Sequence, residues 1–522
     1  MTDMAIIDFF DRGWRINPHG AAYIQDDRVF TFTDVRNLSC RIANALLAEG
    51  LPKSTKGAIW SANDAVAWTC TLGLWRANMC WIPVGARNSA EENRHVLDAF
   101  DCEVLFFQKE FASIIDALRP SLPKIRLWIC IDEHLPEAPS LKVWIEGQPN
   151  TPPKVEYQLD DVVAISPTGG TTGLPKGVMN THRSIQTFCA HFMINFPYGD
   201  EHPPVNLAAA PMTHTAGTLS LPCTSRGGTV VVITKPDPAL MLAMIPKYKV
   251  TETFLPPTVI YRLLDVPNLA QKVDFSSLKY FLYGAAPMSV EKLKQAIETF
   301  GPVMAGGYGQ TEAPASISNL PPAEHLQGGR LASDERLSSV GRPNPLIRVE
   351  ILSDAGEILA QGESGEICVR GDLVMKGYYK DPEKTAETII DGWLHTGDIG
   401  HLDPHGYLHI TDRKKDMIIS GGFNVYPSEV EQVLWAHPAV QDCAVIGVPD
   451  DQWGESVKAV VELSVGQSVT AEELISLCKD RLGSVKSPKT VDFIDALPRS
   501  PVGKVLKKDL RAQYWQSVDR QI

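Results

Sequence analysis

A run of glycines and threonines begins shortly after Ser166 and reads SPTGGTTGLPKG. Glycine permits a positive φ and lets the backbone approach a ligand closely, while hydroxyls and free N–H groups can donate to an oxyanion. A flexible surface linker is the alternative interpretation of such a composition. The run predicts a phosphate-binding loop that contains Thr168, Gly169, Gly170, Thr171, Thr172, Gly173 and Lys176.

This loop is not the P-loop of nucleoside triphosphatases. That motif needs four residues between its first glycine and a Gly-Lys-Ser/Thr sequence. At the matching spacing the chain has Leu174 or Pro175, and the Gly-Lys pair that ends in Lys504 is followed by Val505. The sequence therefore predicts a phosphate site of another kind.

Five further segments follow this run in a fixed order. They are PMTHTAG from Pro211, YGAAP from Tyr283, GYGQTE from Gly307, WLHTGD from Trp393 and PRSPVGK from Pro498. Together the six segments resemble those of the adenylate-forming superfamily of acyl-CoA synthetases, firefly-type luciferases and peptide-synthetase adenylation domains. The resemblance spans nearly the whole chain. It implies an enzyme that joins a carboxylate to ATP, releases pyrophosphate and then passes the acyl group to a thiol.

The resemblance also implies which residues bind ATP. Attack of a carboxylate on the α-phosphate brings negative charges together, so the site must supply cations and oriented donors. The loop from Thr168 to Lys176 would hold the β- and γ-phosphates, although Gly169 stands where the family usually has serine. Two further segments would surround the adenine and the α-phosphate: Gly284, Ala285, Ala286 and Pro287, and Gly307, Tyr308, Gly309, Gln310 and Thr311.

Individual side chains take specific roles in this interpretation. Tyr308 offers an aromatic platform for adenine, Thr311 a catalytic hydroxyl near the α-phosphate, and Glu312 a hard oxygen ligand for Mg²⁺. Asp398 would accept hydrogen bonds from the ribose hydroxyls, and Arg413 would also reach the ribose. The resemblance thus implies ATP, Mg²⁺ and CoA as cofactors.

The C-terminal motifs imply a moving domain. By resemblance, Lys504 swings over the site and bridges the carboxylate and the α-phosphate, and Lys415 is the hinge. After adenylation, rotation would bring Gly421, Gly422 and Phe423 to the border of a pantetheine tunnel. The Lys504 loop also resembles the segment at which lysine acetylation switches off bacterial acyl-CoA synthetases, so a lysine acetyltransferase is a predicted partner.

The sequence motifs say less about the acyl pocket than about the nucleotide site. By resemblance its walls include Phe192, Met193, Phe196, His214, Thr215, Ala216, Gly217, Tyr283, Gly307 and Ala313, with His214 in a catalytic gating role. The matched positions hold no Arg or Lys for a second carboxylate and no Asp for an ammonium group. This favours a hydrophobic monocarboxylate and leaves fatty, aryl and alicyclic acids open. A carrier-protein-loading domain, a luciferase-like oxygenase and a non-catalytic nucleotide-binding regulator are the alternatives.

The composition of the chain argues against several other classes of protein. With 49 basic and 62 acidic residues, the net charge of −13 provides no general basic field for nucleic acid. The ten cysteines lack metal-binding spacing and predict reduced, buried thiols. The chain shows neither a signal peptide nor an apolar run of transmembrane length, so a cytoplasmic protein is expected. A homodimer is left open.

The pattern of elements predicts an α/β fold. Helical segments alternate with short apolar strands, which indicates βα units and largely parallel sheets. The phosphate loop is expected to join a strand to a helix. The 522 residues suggest two or more domains. We predict a large N-terminal domain at 1–412, with mixed sheets and a small β-barrel-like part, and a small mobile α+β domain at 413–522.

Overall fold

The computed structural model describes residues 3–168, 175–199, 203–213, 215–235, 237–450, 452–500 and 505–515. Several predicted site residues lie outside the described residues: Gly169, Gly170, Thr171, Thr172, Gly173, His214 and Lys504.

The strands follow one another along the chain as β1 (Ala21–Gln25), β2 (Arg28–Thr31), β3 (Lys56–Trp60), β4 (Cys80–Pro83), β5 (Val104–Phe107), β6 (Leu127–Cys130), β7 (Val162–Thr168), β8 (Lys176–Thr181), β9 (Val205–Ala208), β10 (Thr229–Val232), β11 (Glu252–Leu255), β12 (Tyr280–Gly284), β13 (Met304–Gln310), β14 (Ala313–Leu320), β15 (Leu326–Gln327), β16 (Arg330–Leu331), β17 (Arg342–Pro343), β18 (Ile347–Leu352), β19 (Gly365–Gly371), β20 (Gly377–Tyr378), β21 (Ile389–Ile390), β22 (Trp393–Leu402), β23 (Leu408–Arg413), β24 (Ile418–Ser420), β25 (Phe423–Val425), β26 (Val440–Asp450), β27 (Gly454–Leu463) and β28 (Thr490–Ile494).

The α-helices are α1 (Ile7–Ile16), α2 (Phe32–Ala48), α3 (Ala65–Arg76), α4 (Ala90–Ala99), α5 (Ala112–Leu118), α6 (Leu141–Trp144), α7 (His182–Asn195), α8 (Thr215–Ser225), α9 (Pro238–Tyr248), α10 (Pro257–Leu264), α11 (Leu269–Lys272), α12 (Val290–Phe300), α13 (Asp334–Ser338), α14 (Pro382–Thr388), α15 (Pro427–Trp435), α16 (Ala471–Lys486) and α17 (Lys507–Tyr514). Among the described residues, no helix is both long and apolar enough to cross a membrane.

Two large mixed sheets dominate the first four hundred residues. The nine-stranded sheet has the order β17-β14-β13-β12-β11-β9-β10-β1-β2, and the seven-stranded sheet has the order β20-β8-β7-β4-β3-β5-β6. The central pairs, such as β11 with β12 and β3 with β4, are parallel, whereas β13 with β14 and β7 with β8 are antiparallel. The predicted α/β fold with mixed sheets is confirmed.

A third sheet accounts for the barrel-like part. Its strands run β18-β19-β22-β21, with β23 also paired to β22, and the pairs are antiparallel. The sheet ends at Arg413, directly before the short 3₁₀ turn Lys414–Asp416.

The last hundred residues form a separate α+β unit. Strands β25-β24-β27-β26, with β28 beside β27, pack against α15 and α16 around their own apolar cluster. Buried members of this cluster include Ile418, Val430, Leu434, Val445 and Leu474. The separate core supports our proposed division at residue 412.

The phosphate loop is positioned differently from the expectation. Thr168 ends β7 and Lys176 begins β8, and these two residues are antiparallel partners. The loop therefore joins two strands of a hairpin, not a strand to a helix. Helix α7 begins only after β8, where Thr181 accepts a hydrogen bond from the Ser184 N–H at its N-cap. Sequence periodicity detected α7 but missed the short strand before it.

Candidate active site

The adenine-site segments meet at the carboxyl edge of two parallel strands. Strands β12 and β13 pair in register, and Gly284 lies opposite Gly307. A Cβ on Gly284 would lie 2.6 Å from the carbonyl oxygen of Gly307, so this close approach requires glycine. Ligands of open α/β sheets bind outside such carboxyl strand ends. The fold thus brings the GAAP and GYGQTE segments together.

The GAAP segment contains an unusual backbone conformation. Ala285 has φ +67°, in the left-handed region that residues other than glycine seldom adopt. Such a conformation costs about 1 kcal/mol or more and persists only where the surroundings enforce it, often beside a ligand site. The strain supports the proposal that this segment is shaped for a ligand.

Asp398 lies buried at the centre of the proposed ribose site. The Tyr308 hydroxyl donates to its Oδ2 at 2.6 Å, and the Arg413 Nε lies 3.1 Å from its Oδ1. Asp398 in β22 and Arg413 in β23 are also direct strand partners. Burial, together with the neighbouring Asp398 carboxylate, raises the pKa of the Tyr308 hydroxyl. The structure therefore brings together three residues that are far apart in the sequence.

Glu312 lies in the turn between β13 and β14, close to the end of the phosphate hairpin. The Tyr378 hydroxyl donates to its Oε1 at 2.8 Å. The Lys176 Nζ lies 5.5 Å from the centre of the Tyr378 ring. Burial and the nearby Glu312 raise the pKa of Tyr378, so this hydroxyl stays a donor. Tyr378 thus connects the proposed metal ligand to the phosphate-loop lysine.

The residues of the GYGQTE turn have further partners. The Thr311 carbonyl accepts a hydrogen bond from the Asn180 Nδ2 at 3.3 Å, and Gln310 Nε2 lies 3.5 Å from the Thr396 carbonyl. The buried Asn180 Oδ1 has no hydrogen-bond partner among the described residues. An unpartnered buried oxygen beside the proposed phosphate site fits a polar ligand there.

Sequence reasoning missed Tyr378 and Asn180. Asn180 lies in β8, and no motif surrounds it in the sequence. Tyr378 lies in the segment GYYKD, which is typical of an ordinary strand followed by a turn. The pairing of β20 with β8 brings Tyr378 to the site. Only this tertiary pairing could have revealed its role.

The described residues hold no group of three or more His, Cys, Asp or Glu side chains arranged for a metal ion. Glu312 alone offers a half-buried carboxylate, with Oε1 bonded to Tyr378. Mg²⁺ is commonly bound by one or two carboxylates while phosphates and water supply the other ligands. The donor set fits an ion that arrives with a nucleotide.

The proposed hinge residue lies in a short turn among charged groups. Lys415 is in the 3₁₀ turn, and burial lowers its pKa, opposed by the adjacent Asp416. Arg511 of α17 forms an ion pair with Asp416 at 3.0 Å. Asp412, just before the turn, accepts a hydrogen bond from the Ser428 N–H. The turn therefore contacts α17, and Asp412, two residues before it, contacts α15.

The proposed pantetheine residues lie on a different surface. Gly421 and Gly422 form the turn between β24 and β25, and the Gly421 N–H donates to the Trp453 carbonyl. Phe423 is 61% exposed. None of the hydrogen bonds or ring contacts of the described residues joins these three to Asp398 or Tyr308.

The proposed acyl walls fall into two groups. Phe192 of α7 contacts the ring of Phe196, the residue directly after the helix, and Met193 and Ala313 belong to the same apolar cluster. Ala216 is also buried. Tyr283 instead points to the opposite face of the sheet, where its hydroxyl meets His325 Nε2 at 2.9 Å. Successive strand residues alternate between faces, so Leu282 and not Tyr283 shares the α7 side.

Comparison with known proteins identifies the family. Residues 10–379 match the AMP-binding enzyme family, and residues 429–504 match the AMP-binding enzyme C-terminal domain. A medium/long-chain-fatty-acid–CoA ligase of Mycobacterium tuberculosis is 41% identical over 371 residues, which make up 70% of this chain and 63% of that protein. A feruloyl-CoA synthase of an Amycolatopsis species is 34% identical over 502 residues, 96% of this chain and 97% of that protein.

A solved structure shows the same fold. The amide bond synthetase McbA from Marinactinospora thermotolerans superimposes with a TM-score of 0.89 and 30% identity, over 98% of this chain and 100% of that one. The first family match contains the GAAP and GYGQTE segments, and Asp398 and Arg413 lie between the two matches. The chain therefore belongs to the AMP-binding enzyme family, the adenylate-forming superfamily, and its enzyme class is that of the AMP-forming acid–thiol ligases.

Proposed function

We propose that the protein is an ATP-dependent acyl-CoA ligase that activates a hydrophobic carboxylic acid. The observation that carries this proposal is the meeting of two groups at the carboxyl edge of β12 and β13. One group is Asp398 with Tyr308 and Arg413, and the other is Glu312 with Tyr378 and Lys176. Such a site offers donors, cations and a hard anion to a nucleotide.

In the first half-reaction, the acid's carboxylate oxygen attacks the α-phosphorus of ATP and pyrophosphate leaves. Asp398 orients the ribose, Tyr308 and the GAAP backbone hold the adenine, and Lys176 offsets charge on the departing phosphates. Mg²⁺, bound with ATP at Glu312, would neutralise phosphate oxygens. Lys504 places a cation between the two reacting groups in the transition state.

In the second half-reaction, the CoA thiolate attacks the acyl carbon and AMP leaves. We propose that the unit after residue 412 turns about Lys415 and brings Gly421, Gly422 and Phe423 toward the adenylate. The exposed Phe423 and the side-chain-free turn before it would border the path of the thiol. One site can then serve two reactions in two conformations.

The relatives leave the acyl acceptor and the acid open. They include ligases named for fatty acids and for feruloyl-CoA, and a synthetase named for amide bonds. We propose a hydrophobic monocarboxylate, because Phe192 of α7 and Phe196 directly after it supply apolar rings to the proposed acyl walls. All ten cysteines are free and buried, which supports a reducing compartment such as the cytoplasm.

The experiment is pyrophosphate release and mass spectrometry of products across fatty, aryl and alicyclic acids, each with CoA, with an amine or with a phosphopantetheinylated carrier protein. We expect AMP, not ADP, and a CoA thioester. If a thioester forms only on the carrier protein, the acyl acceptor is that carrier and not CoA. If an amide forms in place of a thioester, the acceptor is the amine. Absence of pyrophosphate release with every acid would contradict the proposal.

A further inference from the structure

The two-residue strand β20 lies beside the strand that carries the phosphate-loop lysine. Tyr378 of β20 is the antiparallel partner of Val178 in β8, and β8 begins at Lys176. The Lys176 Nζ lies 5.5 Å from the centre of the Tyr378 ring. A cation over an aromatic face is attracted by the negative side of the ring. The Tyr378 ring is therefore in place to hold the lysine that would meet the triphosphate.

The backbone around Tyr378 is fixed from both sides. The Tyr378 N–H donates to the Thr385 Oγ1 at 2.9 Å, and the Tyr379 N–H donates to the Gly177 carbonyl at 2.7 Å. Gly377 has φ +142°, and a Cβ there would lie 2.8 Å from the Thr385 Cγ2. The Tyr378 side chain is buried. A side chain held in this way keeps its orientation before a ligand arrives.

The same segment is bonded to the proposed metal ligand at two points. The Met375 N–H donates to the Glu312 backbone carbonyl at 2.8 Å, and the Tyr378 hydroxyl donates to the Glu312 Oε1 at 2.8 Å. One bond fixes the backbone of the turn and the other fixes the carboxylate. Among the described residues, no hydrogen bond or ion pair involves the Glu312 Oε2. A carboxylate held through one oxygen can bind Mg²⁺ through the other.

We propose that Tyr378 is a positioning residue for the metal-bound nucleotide. Its hydroxyl holds the Glu312 carboxylate in the orientation that binds the Mg²⁺ arriving with ATP, and its ring holds the Lys176 ammonium beside the phosphates. Carboxylates that bind metals are themselves hydrogen-bonded, and the residues that orient them contribute strongly to metal affinity. This inference rests on the proposed function, and none of the six sequence motifs contains Tyr378.

Two variants separate the hydroxyl from the ring. Tyr378→Phe removes only the bond to Glu312, so it should weaken binding of MgATP by about tenfold or more and leave binding of metal-free ATP unchanged. Tyr378→Leu also removes the aromatic face under Lys176. It should weaken metal-free ATP as well, by about two- to fivefold.

The measurement is calorimetric titration of the whole protein with ATP, once with excess Mg²⁺ and once with a chelator, and without any carboxylic acid. Under the proposed function no acid means no attack on the α-phosphate, so binding is read without turnover. Pyrophosphate release with the acid panel is measured on the same variants. The melting temperature of each variant without ligand verifies that it is folded.

Tyr407→Phe is the matched control. The Tyr407 hydroxyl donates to the Glu324 carboxylate, and the Arg342 guanidinium lies 4.2 Å from the centre of its ring, so both types of contact recur outside the proposed site. This variant should bind ATP like the unmodified protein, with and without Mg²⁺.

A double variant tests whether Tyr378 acts through Glu312. If it does, Tyr378→Phe combined with Glu312→Gln should bind MgATP no more weakly than Glu312→Gln alone, because the carboxylate to be positioned is already lost. Losses that multiply in the double variant would show that Tyr378 acts independently of the metal ligand and would overturn the proposal.

The other outcomes distinguish this inference from the ligase proposal. Unchanged MgATP binding in Tyr378→Phe would overturn the positioning role while the ligase function stands. An equal loss for MgATP and metal-free ATP in that variant would assign the hydroxyl a structural role and also overturn it. A loss confined to MgATP, in a protein that releases no pyrophosphate with any acid, would support the role of Tyr378 and contradict the ligase.

Discussion

At the scale of single residues, the Glu312 carboxylate tests the metal assignment. Its Oε1 accepts the Tyr378 hydroxyl, and an amide oxygen in Glu312→Gln can still accept that bond, so the fold should survive. The substitution removes the negative charge that would bind Mg²⁺. Loss of a residue that only supports a metal ligand lowers metal affinity or activity by about 10- to 100-fold. Loss of the ligand itself should therefore raise the Mg²⁺ concentration needed for adenylation by at least as much.

The control for this variant is Glu324→Gln. Glu324 also accepts a tyrosine hydroxyl, that of Tyr407, and pairs with Arg342 at 2.9 Å, but it belongs to neither group of the proposed site. Titration of Mg²⁺ at saturating ATP should give unchanged curves for this control. An unchanged curve for Glu312→Gln as well would show that the metal is held elsewhere.

Asp398 is expected to act on nucleotide binding. Because it is buried between Tyr308 and Arg413, replacement by alanine would leave both without an acceptor, and Asp398→Asn is the gentler variant. Loss of a hydrogen bond to a charged group should raise the KM for ATP by about 10- to 100-fold. The KM for the acid should change little.

Steady-state kinetics at varied ATP and at varied acid concentration measure the two KM values separately. Asp403→Asn provides the comparison, since Asp403 is a buried aspartate that accepts backbone N–H groups of His405 and Tyr407. Should Asp398→Asn leave the KM for ATP unaltered, the ribose assignment would have to be abandoned.

At the scale of elements, the structure shows what sequence patterns could and could not supply. Motif order predicted that the segments at Gly284, Gly307 and Asp398 converge, and their convergence follows from strand pairing. Periodicity could not distinguish a six-residue strand from a helix start, so β8 was missed. Tyr378 could not be identified either, because it reaches Glu312 only through the pairing of β20 with β8.

The 3₁₀ turn that contains Lys415 is the element that should limit domain rotation. Proline at this position fixes φ and should hinder the change of conformation. Lys415→Pro should form acyl-adenylate at close to the normal rate and convert supplied adenylate to thioester at least about tenfold more slowly. Single-turnover measurements of each half-reaction provide the check.

Lys415→Ala separates the backbone effect from the loss of charge. It removes the Lys415 ammonium group without restricting φ, so thioester formation should be closer to normal than in Lys415→Pro. If both half-reactions fall equally in Lys415→Pro, or if neither falls, the hinge lies at another residue.

At the scale of the whole molecule, the chain consists of a large α/β part and a C-terminal unit with its own core. The length of the chain predicts two or more domains, and the separate C-terminal core supports the proposed division at residue 412. The sequence could not predict the contacts between the two parts. Gln432 of α15 donates to the Met288 carbonyl, directly after the GAAP segment, and Gln441 donates to Asp265. Both of these hydrogen bonds would be lost in a rotation that moves α15 and β26 away from Met288 and Asp265.

Lys504 lies outside the described residues, but its neighbours anchor the region to the C-terminal unit. Arg499 and Val505 form an antiparallel bridge, and Lys507 pairs with the buried Glu431 at 2.7 Å. In the two-conformation cycle that we propose, Lys504 reaches the nucleotide only in the conformation that adenylates. Its effect should therefore be confined to one half-reaction.

Loss of a transition-state cation from a closed site costs on the order of 3 kcal/mol, about a hundredfold in rate. Lys504→Ala should therefore slow pyrophosphate release by about that factor while still converting supplied acyl-adenylate to the thioester. Enzyme acetylated at Lys504 should show the same single defect, because acetylation removes the same charge. Lys508→Ala, which alters an exposed lysine on α17, should leave both half-reactions intact. Normal adenylation by Lys504→Ala, or an equal loss of thioester formation, would contradict both the catalytic role of Lys504 and its use as a switch.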